Sequence, residues 1–217
     1  MKVIYLFAVV LLIFSCKNET PVKEVSMKED VYFLADDAQE GRQTGSESEK
    51  ISANYLAERF KTMGLAPKGT NGYLQPFTFK PKTNPHGEAT YVVNKEDSTI
   101  TGLNVVAYID NKAENTVIIG AHYDHLGLGS EGSLYRGEGA EIHNGADDNA
   151  SGVAVMMNLA KQLKGKNTNN NYLFISFSGE EMGLLGSNYF VKNPTIDTKK
   201  VNYMINMDMV GRMKKDS

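Results

Sequence analysis

Apolar residues recur along this chain in two rhythms, one of helical period and one of short β-branched or aromatic runs. A short helical segment is expected at Glu29 to Ala35, followed by the turn-rich stretch Gly41-Arg42-Gln43-Thr44-Gly45. Ile51, Tyr55, Leu56, Phe60 and Met63 then fall on one helical stripe, with Ser46 and Glu49 at capping-box spacing before it and Gly64 as a stop after it. Strands are expected around Phe77 to Phe79 and at Thr90 to Asn94, Leu103 to Ile109, Thr116 to Ala121, Tyr172 to Phe177 and Val201 to Met207, the last three as buried strands. A helix at Ser151 to Leu163 carries Val153, Met156, Met157, Ala160 and Leu163 on one face, and another begins at or just after Glu180 and runs to about Val191.

Strand, helix, strand over residues 116–177 implies a parallel crossover, because the chain must return to the same end of the sheet. The class is α/β. In open sheets of this kind ligands gather beyond the carboxyl ends of the strands. Three chemistry-bearing clusters end or follow such runs: His122-Tyr123-Asp124, Glu180-Glu181 and Asp208. Asp147-Asp148-Asn149 opens a helix that faces the same way, so the four clusters converge on one edge.

Composition changes this picture little. With 217 residues, 41% hydrophobic and 23% charged, the chain supports one good-sized domain with a real core. A net charge of −3 and a pI near 5.8 provide no basic face, so nucleic acid is not an expected partner. The first residues differ from the rest. Lys2 precedes the apolar run Val3 to Phe14, which is too short to span a membrane and suits a signal-peptide core. It ends in Ile13-Phe14-Ser15-Cys16, which resembles the lipobox of bacterial lipoproteins, with Cys16 as the lipidated residue. Cys16 is also the sole cysteine, so there is no internal disulfide framework. Residues 1–15 are read as a lipoprotein signal peptide, 16–27 as a tether and 28–217 as the domain, anchored by lipid to a membrane of the bacterial cell envelope.

Each cluster has a bland reading. A lone histidine is more often structural than ligating, Asp147 to Asn149 fit a helix cap, and Glu180-Glu181 fit a solvated helix start. Their convergence favours a metal site, since histidine with carboxylates suits zinc or a similar divalent ion. Asp124, two residues after His122, is placed to hold the other nitrogen of a ligating ring. His125 alternates to the other side of the segment and is left unassigned. His86 and His143 lie in loops, and glycines 127, 129, 132, 137 and 139 lack the lysine and helix of a phosphate-binding loop.

The stretches HYDHLG (122–127), GADDNASG (145–152), SGEEMGLLGS (178–187) and NMDMVG (206–211) resemble, in order and spacing, the co-catalytic zinc peptidases. This is the family of bacterial leucyl aminopeptidases, glutamate carboxypeptidase and the transferrin receptor ectodomain. The resemblance implies a three-layer α/β/α fold with a mixed, mostly parallel sheet, and an aminopeptidase acting on peptides with two zinc ions. By the same resemblance His122 and Asp208 bind one ion, Glu181 the other, and Asp148 bridges both. Glu180 is the general base, Asp124 supports His122, and the Asp148–Asn149 peptide is cis. The family's second zinc takes a histidine downstream of NMD, which this sequence does not contain, so the site is expected to be one ligand short and the last strands and helices absent. The alternatives are a non-catalytic binding domain on the same fold and acyl transfer like that of glutaminyl cyclase.

Overall fold

The computed structural model describes residues 26–80, 90–91, 99–129 and 133–212. The expected signal peptide, Cys16, most of the tether, His86 and the end of the strand expected at Thr90 to Asn94 lie outside the described residues.

Helix α1 (Met27–Leu34) leads into a short 3-10 segment, Asp37–Arg42, and then α2 (Glu47–Thr62). The sheet is built from β1 (Ala66–Pro67), β2 (Leu74–Lys80), β3 (Thr90–Tyr91), β4 (Ile100–Ile109), β5 (Thr116–His122), β6 (Asn171–Phe177) and β7 (Val201–Asn206). Between β5 and β6 runs α3 (Gly152–Leu163), and between β6 and β7 runs α4 (Leu185–Lys192). The strand order is β3-β2-β4-β6-β5-β7, with β1 paired to β4.

The sheet is mixed, and its two halves differ. β5 pairs in parallel with both β6 and β7, as the crossover through α3 requires. The pairings β1–β4, β2–β3, β2–β4 and β4–β6 are antiparallel, so parallel pairing is confined to the half containing β5.

Alternation along the central strands assigns each side chain to a layer. Val105 and Ala107 of β4, Val117 and Ile119 of β5 and Phe174 of β6 point to one face, where they meet Leu56 and Phe60 of α2 and Val153, Met156 and Met157 of α3. Val106, Ile118, Leu173, Ile175 and Phe177 point to the other and meet Phe190 of α4. Helices thus cover both faces, giving the three layers, and β5 and β6 are buried along their whole length. Truncating one of these fully buried side chains, such as Leu56→Ala, carries a cost of about 2–5 kcal/mol.

Three local expectations need correction. On α2, Ile51 is exposed, and the core-facing positions of the first two turns are Ser48, Glu49, Ser52 and Ala53. Leu56, Phe60 and Met63 of the expected stripe are buried, and a polar network replaces it only in the first turns. β7 is not buried: it ends the sheet order, and Tyr203, Met204 and Ile205 are exposed. Finally, α4 begins at Leu185, not at Glu180. Gly183 and Leu184 adopt positive φ, and Glu180–Leu184 closes as a tight turn in which the N–H groups of Gly183 and Leu184 donate to the Glu180 carbonyl. That turn leaves both glutamates on a loop at the carboxyl end of β6.

Candidate metal centre

His122 is the last residue of β5 and is 2% exposed. Its Nδ1 lies 3.2 Å from the main-chain carbonyl of Asp124 and 3.7 Å from the Asp124 carboxylate. The nearer contact makes Nδ1 the protonated nitrogen and leaves the Nε2 lone pair facing inward. Nε2 is a buried atom without a hydrogen bond, although Asp148 Oδ1 is at 3.1 Å, Asp208 Oδ1 at 3.5 Å and Glu180 Oε2 at 4.0 Å.

A lone pair aimed at three carboxylates is repulsive unless a cation sits between them. The titration of His122 expresses the same demand: burial pulls its pKa down, but Asp124, Asp148 and Glu180 together push it up to about 11. The proton occupies the place of a positive ion. His122, Asp148 and Asp208 bring one ligand atom each within 4.8 Å of one another, a nitrogen-and-oxygen set that suits zinc. His125, Asp148 and Glu181 form a second such group. Asp148 belongs to both, so it stands where a bridging ligand would.

The neighbours of Asp148 explain why three polar residues stand in a row. Asn149 donates to the Met207 carbonyl and accepts from the N–H groups of Gly152 and Met209. Asp147 accepts from the N–H of Gly211 and from the Ser151 hydroxyl. Both therefore tie the segment after β7 to the start of α3, and Asp208 is delivered to His122 between these ties. The peptide joining Asp148 to Asn149 is cis.

The Asp124 carboxylate is fully buried and works on the opposite loop. It accepts from the N–H of Glu180 at 3.2 Å, the N–H of Glu181 at 3.4 Å and the Thr44 hydroxyl at 3.0 Å. Thr44 accepts in turn from the Gly179 N–H. Behind it lies Glu49, whose carboxylate accepts from the N–H groups of Gly45 and Leu103 and from the Ser178 and Tyr123 hydroxyls. Burial pushes the Glu49 carboxyl up to about 7. Arg42 is also fully buried and donates to the carbonyls of Tyr123, Leu34, Asn144 and Gly145, joining α1, the end of β5 and the loop before Asp147. Burial lowers its pKa to about 10, so it stays positive at neutral pH beside the acidic site.

Glu180 is about one-third exposed at the mouth of this cluster, in a cavity of about 270 Å³ shared with His122, Leu184, Met204 and Asp208. Burial, reinforced by Asp124, Glu181 and Asp208 and opposed by His122, raises its pKa. Asp148 moves the other way, lowered first by its contact with His122.

Sequence reasoning left His125 unassigned, and the structure places its Nδ1 2.6 Å from Glu181 Oε1. The only sequence signal for it was the HYDH repeat of histidine at three-residue spacing. Glu49, Thr44, Ser178 and Arg42 stood in a capping box, a turn and a quoted stretch without being given a part in the site, since that part depends on chain segments far apart.

The molecule is thus an open mixed α/β sheet flanked by helices, with a histidine-carboxylate cluster at the carboxyl ends of its parallel strands, where ligands of such sheets gather. The sequence profile of Peptidase family M28 matches residues 104–217, more than half of the chain, and the protein belongs to that family. It is 32% identical over 170 residues to the alkaline phosphatase isozyme conversion protein of Escherichia coli K12, covering 77% of this chain and 46% of that one. It is 36% identical over 129 residues to a probable leucine aminopeptidase of Trichophyton verrucosum, covering 57% and 32%. The chain thus spans less than half the length of these two relatives. Among solved structures, a Zn-dependent exopeptidase from Parabacteroides distasonis superposes with a TM-score of 0.59 at 21% identity over 88% of this chain and 63% of that one. A Tannerella forsythia glutaminyl cyclase superposes with a TM-score of 0.63 at 21% identity over 87% and 62%. At these identities the two structures speak for the fold alone.

Proposed function

We propose that this protein is a two-zinc aminopeptidase that removes N-terminal residues from peptides. The observation that carries this reading is the buried His122 Nε2, without a hydrogen bond and facing Asp148, Asp208 and Glu180. His122 and Asp208 would hold one ion and Glu181 the other, with Asp148 shared. Zinc, when bound, supplies Lewis acidity, making water a stronger acid and a carbonyl a better electrophile.

The chain's own residues do the rest. Glu180 sits at the open side of the cluster with a raised pKa, which brings its basicity closer to that useful at neutral pH. It takes the proton of the attacking water as the water oxygen bonds to the scissile carbon. When the C–N bond breaks, Glu180 returns that proton to the leaving amine. Asp124 holds the main chain of Glu180 and Glu181, so base and ligand move as one unit. The names of the sequence relatives support an aminopeptidase over the acyl transfer of glutaminyl cyclase, since the likeness to the cyclase is one of fold.

The test is Glu180→Gln, read by zinc content and by hydrolysis of a leucyl anilide. Zinc content should be unchanged and kcat should fall by about 10³-fold, within the range expected of a general base. Full zinc occupancy without any Glu180-dependent cleavage would overturn the peptidase reading.

The cellular placement is part of the same proposal: Cys16, after its short apolar run, anchors the protein by lipid to the bacterial envelope. Cys16→Ser should move the protein from the membrane to the soluble fraction and abolish labelling by a radioactive fatty acid. Labelling that persists in the variant excludes this anchor.

A further inference from the structure

We propose that Arg42 is a positioning residue of the metal centre, whose guanidinium fixes the segment carrying the shared ligand Asp148 against the strand end carrying His122. This rests on the metal-site reading above and assigns to it a residue that touches no ion. Nε of Arg42 donates to the Tyr123 carbonyl at 2.7 Å, one residue past His122. On the other branch of the guanidinium, Nη1 donates to the Asn144 carbonyl at 2.8 Å and Nη2 to the Gly145 carbonyl at 3.1 Å. The Gly145 carbonyl also accepts from the Ala150 N–H at 3.1 Å, so residues 145–150 close on themselves with Asp148 inside. One rigid, planar group thus spans the two segments whose ligand atoms, His122 Nε2 and Asp148 Oδ1, stand 3.1 Å apart.

The fold bears a cost to place this group. Arg42 is fully buried, which desolvates its charge. Its main chain has φ +50° and that of Glu40 has φ +44°, a left-handed backbone that residues other than glycine hold only when the surroundings over-determine it. Gly145, at φ +57°, packs on the guanidinium: a Cβ there would lie 2.7 Å from Arg42 Nη2 and 2.4 Å from the Asp148 carbonyl oxygen. Only glycine permits that approach. A neutral side chain could close a turn without burying a cation.

A simpler role for Arg42 would be a structural tie of α1 to the sheet, since Nη1 also donates to the Leu34 carbonyl. Its charge could also act with the opposite sign. Burial opposes the cation, and the carboxylates that offset this are those of Asp124 and then Asp148, so it stands within electrostatic reach of the ligands. A cation there repels an entering metal ion. The three roles differ in what removing the guanidinium does to metal affinity: a loss if it positions Asp148, no change if it ties α1, a gain if repulsion dominates.

The experiment is zinc uptake by the zinc-free full chain in competition with a chromophoric chelator, followed at the ion held by His122, Asp148 and Asp208. Thermal unfolding of the same metal-free samples reports folding independently. Arg42→Ala and Arg42→Lys should both bind this ion about 10–100-fold more weakly, lysine included because its ammonium keeps the charge and loses the fork. Millimolar ethylguanidinium, which replaces the deleted part of the side chain, should restore tight binding to Arg42→Ala, and ethylammonium should not. Equal rescue by ethylammonium would place the effect in charge alone and overturn the assignment. Folded variants that bind zinc as tightly as the intact protein make Arg42 a structural tie, and tighter binding makes it a source of repulsion; either result overturns the assignment while the metal reading stands. If Arg42→Ala does not fold, Arg42→Lys carries the same comparison. An intact protein that takes up no zinc overturns the metal reading itself, and the assignment with it.

Discussion

The two sides of the metal centre are held in different ways. On one side His122 ends β5, and Asp208 follows β7 by two residues; the parallel β5–β7 ladder and the ties from Asp147 and Asn149 place both. On the other, His125 and Glu181 sit on loops: the Asp124 carboxylate accepts from the Glu181 N–H and the Thr44 hydroxyl, the Arg42 carbonyl accepts from the His125 N–H, and Glu49 accepts from the Ser178 hydroxyl behind them. A ligand at a strand end inherits the rigidity of the sheet. A ligand on a loop needs a second layer of buried polar groups, and these carry the cost of desolvation.

Perturbing that second layer should therefore affect the loop side and spare the strand side. The largest effect is expected at Glu49. Its folded pKa of about 7 lies above the ordinary carboxyl value of 4.5, so between these two values the folded state holds a proton that the unfolded state has released. Stability should fall as pH rises from about 4.5 to 7 and level off above, by on the order of 3 kcal/mol from this group. In Glu49→Gln that slope should vanish, and chemical denaturation across this range checks it; an unchanged slope would mean that Glu49 is not the group responsible.

Asp124→Asn comes next. The amide can still accept from one loop N–H but turns a donor toward the other, so the Glu180–Glu181 turn loosens. Metal affinity should drop about 10–100-fold at the Glu181 side, as for other residues that orient metal ligands. The His122 equivalent should be weakened less, because the Nδ1 contact runs to the main-chain carbonyl of residue 124 and survives the substitution. Equal losses at both equivalents would show that the two sides are one rigid unit.

Much of this was legible because it is local. The apolar runs Thr116 to Ala121 and Tyr172 to Phe177, with a helix between, specified a parallel crossover, and His122 and Glu180-Glu181 followed from lying at or just beyond the ends of those strands. The misreadings arose where distant segments meet. Leu56, Phe60 and Met63 of the expected helical stripe are buried, but Ile51 is not: in the first turns Glu49 is drawn inward by the N–H groups of Gly45 and Leu103 and by Ser178, and takes the core-facing place. The β-branched and aromatic character of Val201 to Met207 marked a strand correctly and its burial incorrectly, because a strand's neighbours are a property of sheet order.

His122 and His125 condense that distinction. By itself, the sequence determined the α/β alternation, the strand-end position of the chemical residues and the family to which they belong, since periodicity and motif spacing are set by bonded geometry along a few turns or residues. Only the tertiary structure decided that His125 faces Glu181, that Asp124 grips the turn after β6 and that a carboxylate from α2 lies buried behind them. Those contacts join residues 42–49, 122–125 and 178–181, and no local pattern encodes which distant polar group will satisfy a buried one.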